Sequence, residues 1–154
     1  MTRSCSSSWA ARRSALSALA KLKPTLVLED ATVPRSRIPE MVQAMQDIAK
    51  KFRLEIGTFG HAGDGNIHVN VLYDRQIPGE REMVNPAVED IFTIVRKLNG
   101  TLSGEHGVGL TKAPYLRMEL SEAAIALQRR NKKAFDPHNI MNPGKIFPGL
   151  GPRP

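Results

Sequence analysis

Gly60-His61-Ala62-Gly63-Asp64-Gly65-Asn66-Ile67-His68-Val69-Asn70 decides the fold, because it reads as a β-hairpin with polar chemistry mounted on it. Asp64-Gly65 is a strong turn signal, and the flanking stretches 54–60 and 66–73 alternate as strands do. In the second strand Ile67, Val69 and Val71 share one face, and His68, Asn70 and Leu72 share the other. If the loop is the four residues Ala62 to Gly65, His61 pairs with Asn66. His61 then lies on the face of His68, one diagonal step away. Diagonal neighbours sit roughly 7 Å apart, within reach of one ion shared by two imidazoles.

A second glycine-rich stretch, Ser103-Gly104-Glu105-His106-Gly107-Val108-Gly109, supplies what the hairpin lacks. Two histidines and one carboxylate form a nitrogen and oxygen ligand set that leaves a coordination position open, as a catalytic metal requires. His61, His68 and Glu105 are that set, and both segments are expected to converge on one site. His106 is the neighbouring proton acceptor, since histidine titrates near neutral pH. Asp64 is a rival ligand, although a turn role explains it equally well. His138 stands alone and reads as a solvated side chain. Gly107-Val108-Gly109 is no dinucleotide fingerprint: a third glycine and a strand–turn–helix context are missing.

Outward from the hairpin, Pro39 opens a helix to about Phe52, with Met41, Val42, Met45, Ile48, Ala49 and Phe52 on one face. Before it, Thr25 to Glu29 is a short β-prone run and Asp30 to Arg37 reads as a loop. Trp9 to Lys21 is helical in pattern, with Leu16, Leu19 and Ala20 as a buried stripe. After the hairpin, Asn85 reads as an N-cap and Pro86 as the first residue of a helix that ends at Asn99-Gly100. A last helix starts at Ser121 and stops at Asp136-Pro137. The expected class is α+β, an antiparallel sheet with helices packed on one face. Residues 1–8 are read as a disordered start and 149–154 as a flexible tail; the domain between them, 9–148, takes its role, the substrate- and metal-binding part, from the resemblance described below.

The totals narrow the function. The chain has 154 residues, 41% of them hydrophobic, enough for one globular domain or part of a larger one. The lone Cys5 excludes an internal disulfide framework and a cysteine-rich zinc site. No apolar run is long enough for a transmembrane segment. The net charge of +7 raises a nucleic-acid partner, but aromatic residues are only 5%, too few for a stacking platform, so none is expected. The densest cations, Arg129 to Lys133, fall at a helix C-terminus, where the macrodipole favours them. The acid-free, Arg- and Ser-rich start resembles a mitochondrial transit peptide; a cytoplasmic location, peripheral to the inner membrane, is the main expectation and the mitochondrion the minor one.

Three strings, GHAGDGNIHVNV, SGEHGVG followed by Lys112, and DPHNIMNPGKIF, together resemble the C-terminal domain of FAD-linked oxidases. This is the family of glycolate oxidase GlcD-type subunits, D-lactate dehydrogenase (cytochrome) and D-2-hydroxyglutarate dehydrogenase. Trp9 to Arg13 and the Asp30-Ala31-Thr32-Val33-Pro34 segment are similar to it too, so the resemblance runs from about Trp9 to Phe147.

The resemblance implies roles residue by residue. His61, His68 and Glu105 fall on the family's metal ligands, zinc or manganese, and His106 on its catalytic base. Arg12 falls on the arginine that meets the substrate carboxylate, with Arg13 beside it; Asn70 falls on a substrate contact. Asn142, in the Asn142-Pro143-Gly144-Lys145 segment, falls on the stretch that returns toward the flavin. Leu28 stands where relatives specialised for a dicarboxylate carry lysine, which argues against a second substrate carboxylate. The implied activity is oxidation of a small 2-hydroxy acid to a 2-oxo acid with hydride transfer to FAD. FAD would be bound mainly by a domain or subunit with no counterpart in this chain. The chain is therefore expected to be a fragment or one subunit of a split enzyme, without turnover by itself, and prone to homodimerise through uncovered surface. The alternative is a non-catalytic metal-binding or assembly module.

Overall fold

The hairpin forms the middle and one edge of a three-stranded antiparallel sheet. The computed structural model describes residue 10 and residues 13–147. Expectations for residues 1–8, for Trp9 and Arg12, and for 149–154 lie outside the described residues. Strands β1 (Thr25–Thr32), β2 (Glu55–His61) and β3 (Asn66–Tyr73) are ordered β1-β3-β2. His61 pairs with Asn66, as the four-residue loop requires, and Phe59 pairs with His68. On the other side of β3, Asp30 pairs with His68 and Thr32 with Asn66.

Helices α1 (Ile38–Phe52), α2 (Glu80–Lys97) and α3 (Glu122–Phe135) belong to the α+β fold, with short 3-10 turns at Arg35–Arg37 and Ala113–Met118; residues 13–19 are helical as well. Met41, Met45 and Ile48 of α1 share one buried core with Ile67, Val69 and Val71 of β3, to which α2 adds Val84, Ala87, Val88, Ile91, Phe92 and Val95. The α2 residues recur every three or four positions, the spacing that keeps one helical face on a sheet. Asn99 in the left-handed region (φ 59°) ends α2, with the Gly100 N–H donating to Val95 O at 2.8 Å. Ser121 caps α3, its Oγ accepting from Ala124 N at 3.2 Å. None of the described helices is long and apolar enough to cross a membrane.

Three expectations are corrected. Asp30, Ala31 and Thr32 belong to β1 rather than to a loop, because β3 offers each a cross-strand partner. Helix α2 begins at Glu80, not at Asn85 and Pro86, which lie inside it. Both face solvent there, so the Glu82 carbonyl left without a proline N–H is open to hydration. The start is held instead by the Glu80 carboxylate, which accepts from Asp74 N at 2.7 Å and pairs with Lys23 at 2.9 Å. The Leu16, Leu19 and Ala20 stripe is not buried: Leu16 and Ala20 are exposed and Leu19 is half-buried against Gly57.

The face of the sheet away from α1 and α2 carries the chemistry. β3 is buried along its whole length, so its polar residues Asn66, His68 and Asn70 are covered as well as its apolar ones. Their cover includes the 103–106 segment, folded back across the sheet.

Candidate metal centre

The hairpin sets two imidazoles side by side. His61 and His68 rings lie 5.5 Å apart, edge to face. The third donor arrives from a loop because the backbone comes close enough only at a glycine. A Cβ on Gly104 would stand 2.3 Å from Thr32 Oγ1 and 2.6 Å from Asn66 Nδ2. Glu119 anchors the loop's first residues by accepting from Thr101 Oγ1 at 2.7 Å and Leu102 N at 2.8 Å.

Glu105 Oε1 then lies 3.2 Å from His68 Nε2 and 3.6 Å from His61 Nε2. Ligands on a tetrahedron with bonds of about 2.1 Å are separated by about 3.4 Å. One donor atom from each of the three residues lies within 4.8 Å of the other two, so the set fits a single small divalent cation with little adjustment. Burial lowers the His68 pKa, with Glu105 opposing; the neutral imidazole that a metal needs is thereby favoured. His106 stacks on His68 at 5.2 Å, nearly parallel, and its Nε2 is 3.9 Å from Glu105 Oε1. It is exposed, so it faces the open side of the cluster.

A second group of donors, Asp30, His68 and His106, shares His68 with the first. Asp30 is the residue that sequence reasoning passed over. It is fully buried, and its Oδ2 accepts from Gly104 N at 2.9 Å, Glu105 N at 2.8 Å, His106 N at 2.8 Å and Ser103 Oγ at 3.2 Å. Lys112, itself buried, donates from Nζ to Asp30 O at 2.8 Å and stands 3.7 Å from Oδ2. Burial pushes the Asp30 carboxyl up, but the amide N–H groups of His106 and Glu105 and the Lys112 charge outweigh it and hold the pKa down to about 2. Asp30 Oδ2, saturated by these donors, has little left for a cation; Oδ1 has no hydrogen-bond partner among the described residues but stands 4.0 Å from His68, a looser approach than the 3.2 and 3.6 Å of the His61, His68 and Glu105 group. The spacing of Lys112 after the SGEHGVG string was visible, but nothing local marks Asp30 as its partner.

Other expected site residues are placed as follows. Asn70 is fully buried; its Nδ2 donates to Gly57 O at 3.1 Å and His68 O at 3.2 Å, and its Oδ1 has no partner among the described residues. Asn142 is exposed, in a left-handed conformation (φ 49°) in the 142–145 turn. That turn is tied to the loop of the centre by Ile146 N donating to Gly109 O at 2.7 Å. Asp64 sits exposed in the hairpin turn, with its N–H donating to His61 O at 3.0 Å. Arg12 lies outside the described residues, while Arg13 is exposed.

Comparison with known proteins gives the family. The chain is 57% identical over 137 residues to the glycolate oxidase subunit GlcD of Bacillus subtilis, covering 89% of this chain and 29% of that protein. It is 38% identical over 122 residues to the D-2-hydroxyglutarate dehydrogenase of Stutzerimonas stutzeri, covering 77% and 26%. Against the mitochondrial D-lactate dehydrogenase [cytochrome] 1 of Saccharomyces cerevisiae it is 39% identical over 118 residues, covering 77% and 20%. The chain thus spans less than a third of the length of these relatives. With a family profile matching residues 3–146, hairpin, loop and tail included, the chain belongs to the family described as FAD linked oxidases, C-terminal domain.

Proposed function

We propose that this chain is the substrate- and metal-binding part of an FAD-dependent D-2-hydroxy-acid dehydrogenase of glycolate or D-lactate type. The observation that carries the reading is the convergence of His61, His68 and Glu105, from two segments far apart in sequence, with one donor atom of each within 4.8 Å of the others. These three would hold a divalent cation, zinc or manganese. When bound, the cation supplies positive charge for the substrate hydroxyl oxygen, and FAD supplies the hydride acceptor. His106, beside Glu105 and on the open side, would take the hydroxyl proton. Arg12 would hold the carboxylate through its guanidinium fork. The Asn70 Oδ1, without a partner among the described residues, would orient the substrate's polar end. Asn142 would face the flavin from the turn joined to Gly109.

FAD would come from a domain or subunit outside these residues. Exposed Phe135, Ile140 and Met141, in the segment leading up to Asn142, support that partner, since large apolar side chains this exposed are often covered by one. Two steps test the reading. Titration calorimetry with Zn2+ or Mn2+ is expected to give one ion per chain, and His68→Ala, which removes a ligand outright, at least about 100-fold weaker binding. Adding an FAD-binding domain from a relative is then expected to restore oxidation of glycolate or D-lactate, and His106→Ala to abolish it. Metal binding unchanged in His61→Ala, His68→Ala and Glu105→Ala would overturn the centre. Metal binding without restored turnover would leave the alternative, a metal-binding assembly module.

A further inference from the structure

We propose that Glu119 is a positioning residue of the centre: it holds the 101–102 backbone at the place on the sheet from which Glu105 reaches His61 and His68. The proposal rests on the reading of the His61, His68 and Glu105 centre above, and adds a residue that ligates nothing itself.

Glu119 follows the Ala113–Met118 turn, 17 or 18 residues beyond the stretch it holds. Each carboxylate oxygen has one partner there. Oε1 accepts from Thr101 Oγ1 at 2.7 Å and Oε2 from Leu102 N at 2.8 Å. Leu102 is 4% exposed, so water is a poor substitute for this acceptor. An unmet buried N–H is costly, and a chain without Glu119 is expected to shift at 101–102 to satisfy it. Arg96 of α2 holds the same stretch from the other side, donating from Nη1 to Gly100 O and from Nε to Met118 O at 3.2 Å. A cation and an anion thus fix three successive residues, Gly100 to Leu102, between α2 and the 113–118 turn.

Those residues are the root of the Glu105 loop. Thr101 N donates to Thr32 O at 2.8 Å and Thr32 N to Thr101 O at 3.1 Å, so the root is also bridged to β1. At Gly104 the backbone is already so close to the sheet that a Cβ would stand 2.3 Å from Thr32 Oγ1. One residue later Glu105 Oε1 lies 3.2 Å from His68 Nε2. Metal–ligand distances tolerate changes of only about 0.2 Å, so a displaced root is enough to spoil the set.

Reach, not charge, is what this role requires, and two variants separate them. Glu119→Gln loses the charge and keeps the length: its oxygen accepts from Leu102 N, and its NH2 donates to Thr101 Oγ1, whose proton turns to Ser103 O, 3.5 Å away. Glu119→Asp keeps the charge and is one methylene short. Calorimetry on the full chain is expected to give Zn2+ binding about 10-fold weaker in Glu119→Asp and within about 2-fold of wild type in Glu119→Gln. In a Glu105→Ala background, Glu119→Asp is expected to change the residual affinity by less than about 2-fold, because its effect runs through Glu105. Amide exchange is expected to quicken at 102, 105 and 106 in Glu119→Asp and to stay slow in Glu119→Gln. Equal affinity in wild type and Glu119→Asp, a Glu119→Gln variant as weak as Glu119→Asp, or an undiminished effect without Glu105 would overturn the proposal. If the wild type binds no Zn2+, the metal reading falls, and exchange judges Glu119: quickening confined to Leu102 overturns its hold on Glu105. If Glu119→Asp does not fold, Thr101→Val, which removes the Oε1 contact alone, takes its place; about 3-fold weaker Zn2+ binding is expected, and equal affinity overturns the proposal.

Discussion

Glu29→Gln should make the protein more stable at alkaline pH and change it by less than about 1 kcal/mol at pH 5. Glu29 is on the core face of the sheet, paired with Val69, and is 2% exposed. Its Oε2 has no hydrogen-bond partner among the described residues. Burial raises its pKa from 4.5 to about 7; the Lys112 charge opposes the rise, and Asp30 adds to it. The unfolded chain loses this proton near the ordinary value, the folded chain near 7. Between those values the folded state binds more protons, so stability falls as pH rises through the window. At about 1.4 kcal/mol for each pH unit, the difference makes about 3 kcal/mol, lost by pH 8. Glutamine has the same shape without the charge and removes this dependence. Urea unfolding followed by circular dichroism at pH 5, 6, 7 and 8 measures it, and subtracting wild type from variant cancels the other titrating groups. The expected difference is under about 1 kcal/mol at pH 5 and grows to about 3 kcal/mol in favour of glutamine at pH 8. A difference independent of pH, or a variant less stable at pH 8, would refute the reasoning: attraction to Lys112 would then outweigh burial.

Two further outcomes test the scaffold. Gly65→Ala should destabilise by roughly 2–3 kcal/mol in the same urea assay, because the residue has φ +75° and its Cβ would stand 2.0 Å from Val33 O, the backbone beside a pairing bond from Val33 N to Gly65 O; a loss under about 0.5 kcal/mol would contradict it. Ser121→Ala removes the α3 cap and should cost about 1 kcal/mol, with faster amide exchange in the first turn of α3, since the helix buries only Ile125 and leans on its cap.

Sequence alone determined most of what repeats over a few residues, the Leu16, Leu19 and Ala20 stripe excepted. Asp64-Gly65 fixed the hairpin and, through its loop length, the pairing of His61 with Asn66. Alternation in β3 set which residues share the His68 face, helical spacing set the buried stripes of α1 and α2, and Ser121 and Asn99 marked helix ends. These are short-range effects: turn geometry, side-chain period and unpaired backbone groups act within a few residues of their cause.

The tertiary structure decided where distant surfaces meet. Asn85-Pro86 has the local chemistry of a helix start, but the stretch from Glu80 is held by Lys23 and Asp74, so the helix begins earlier. Asp30 looks like a loop residue until β3 pairs with it, and its carboxylate then gathers amides that lie 74 to 76 residues downstream. Glu105 reaches the imidazoles because Gly104 lets the loop backbone lie flat against Thr32 and Asn66. No periodicity records such meetings. They follow from complementary shape and from the cost of leaving a buried charge without donors, and both exist only once the chain has folded.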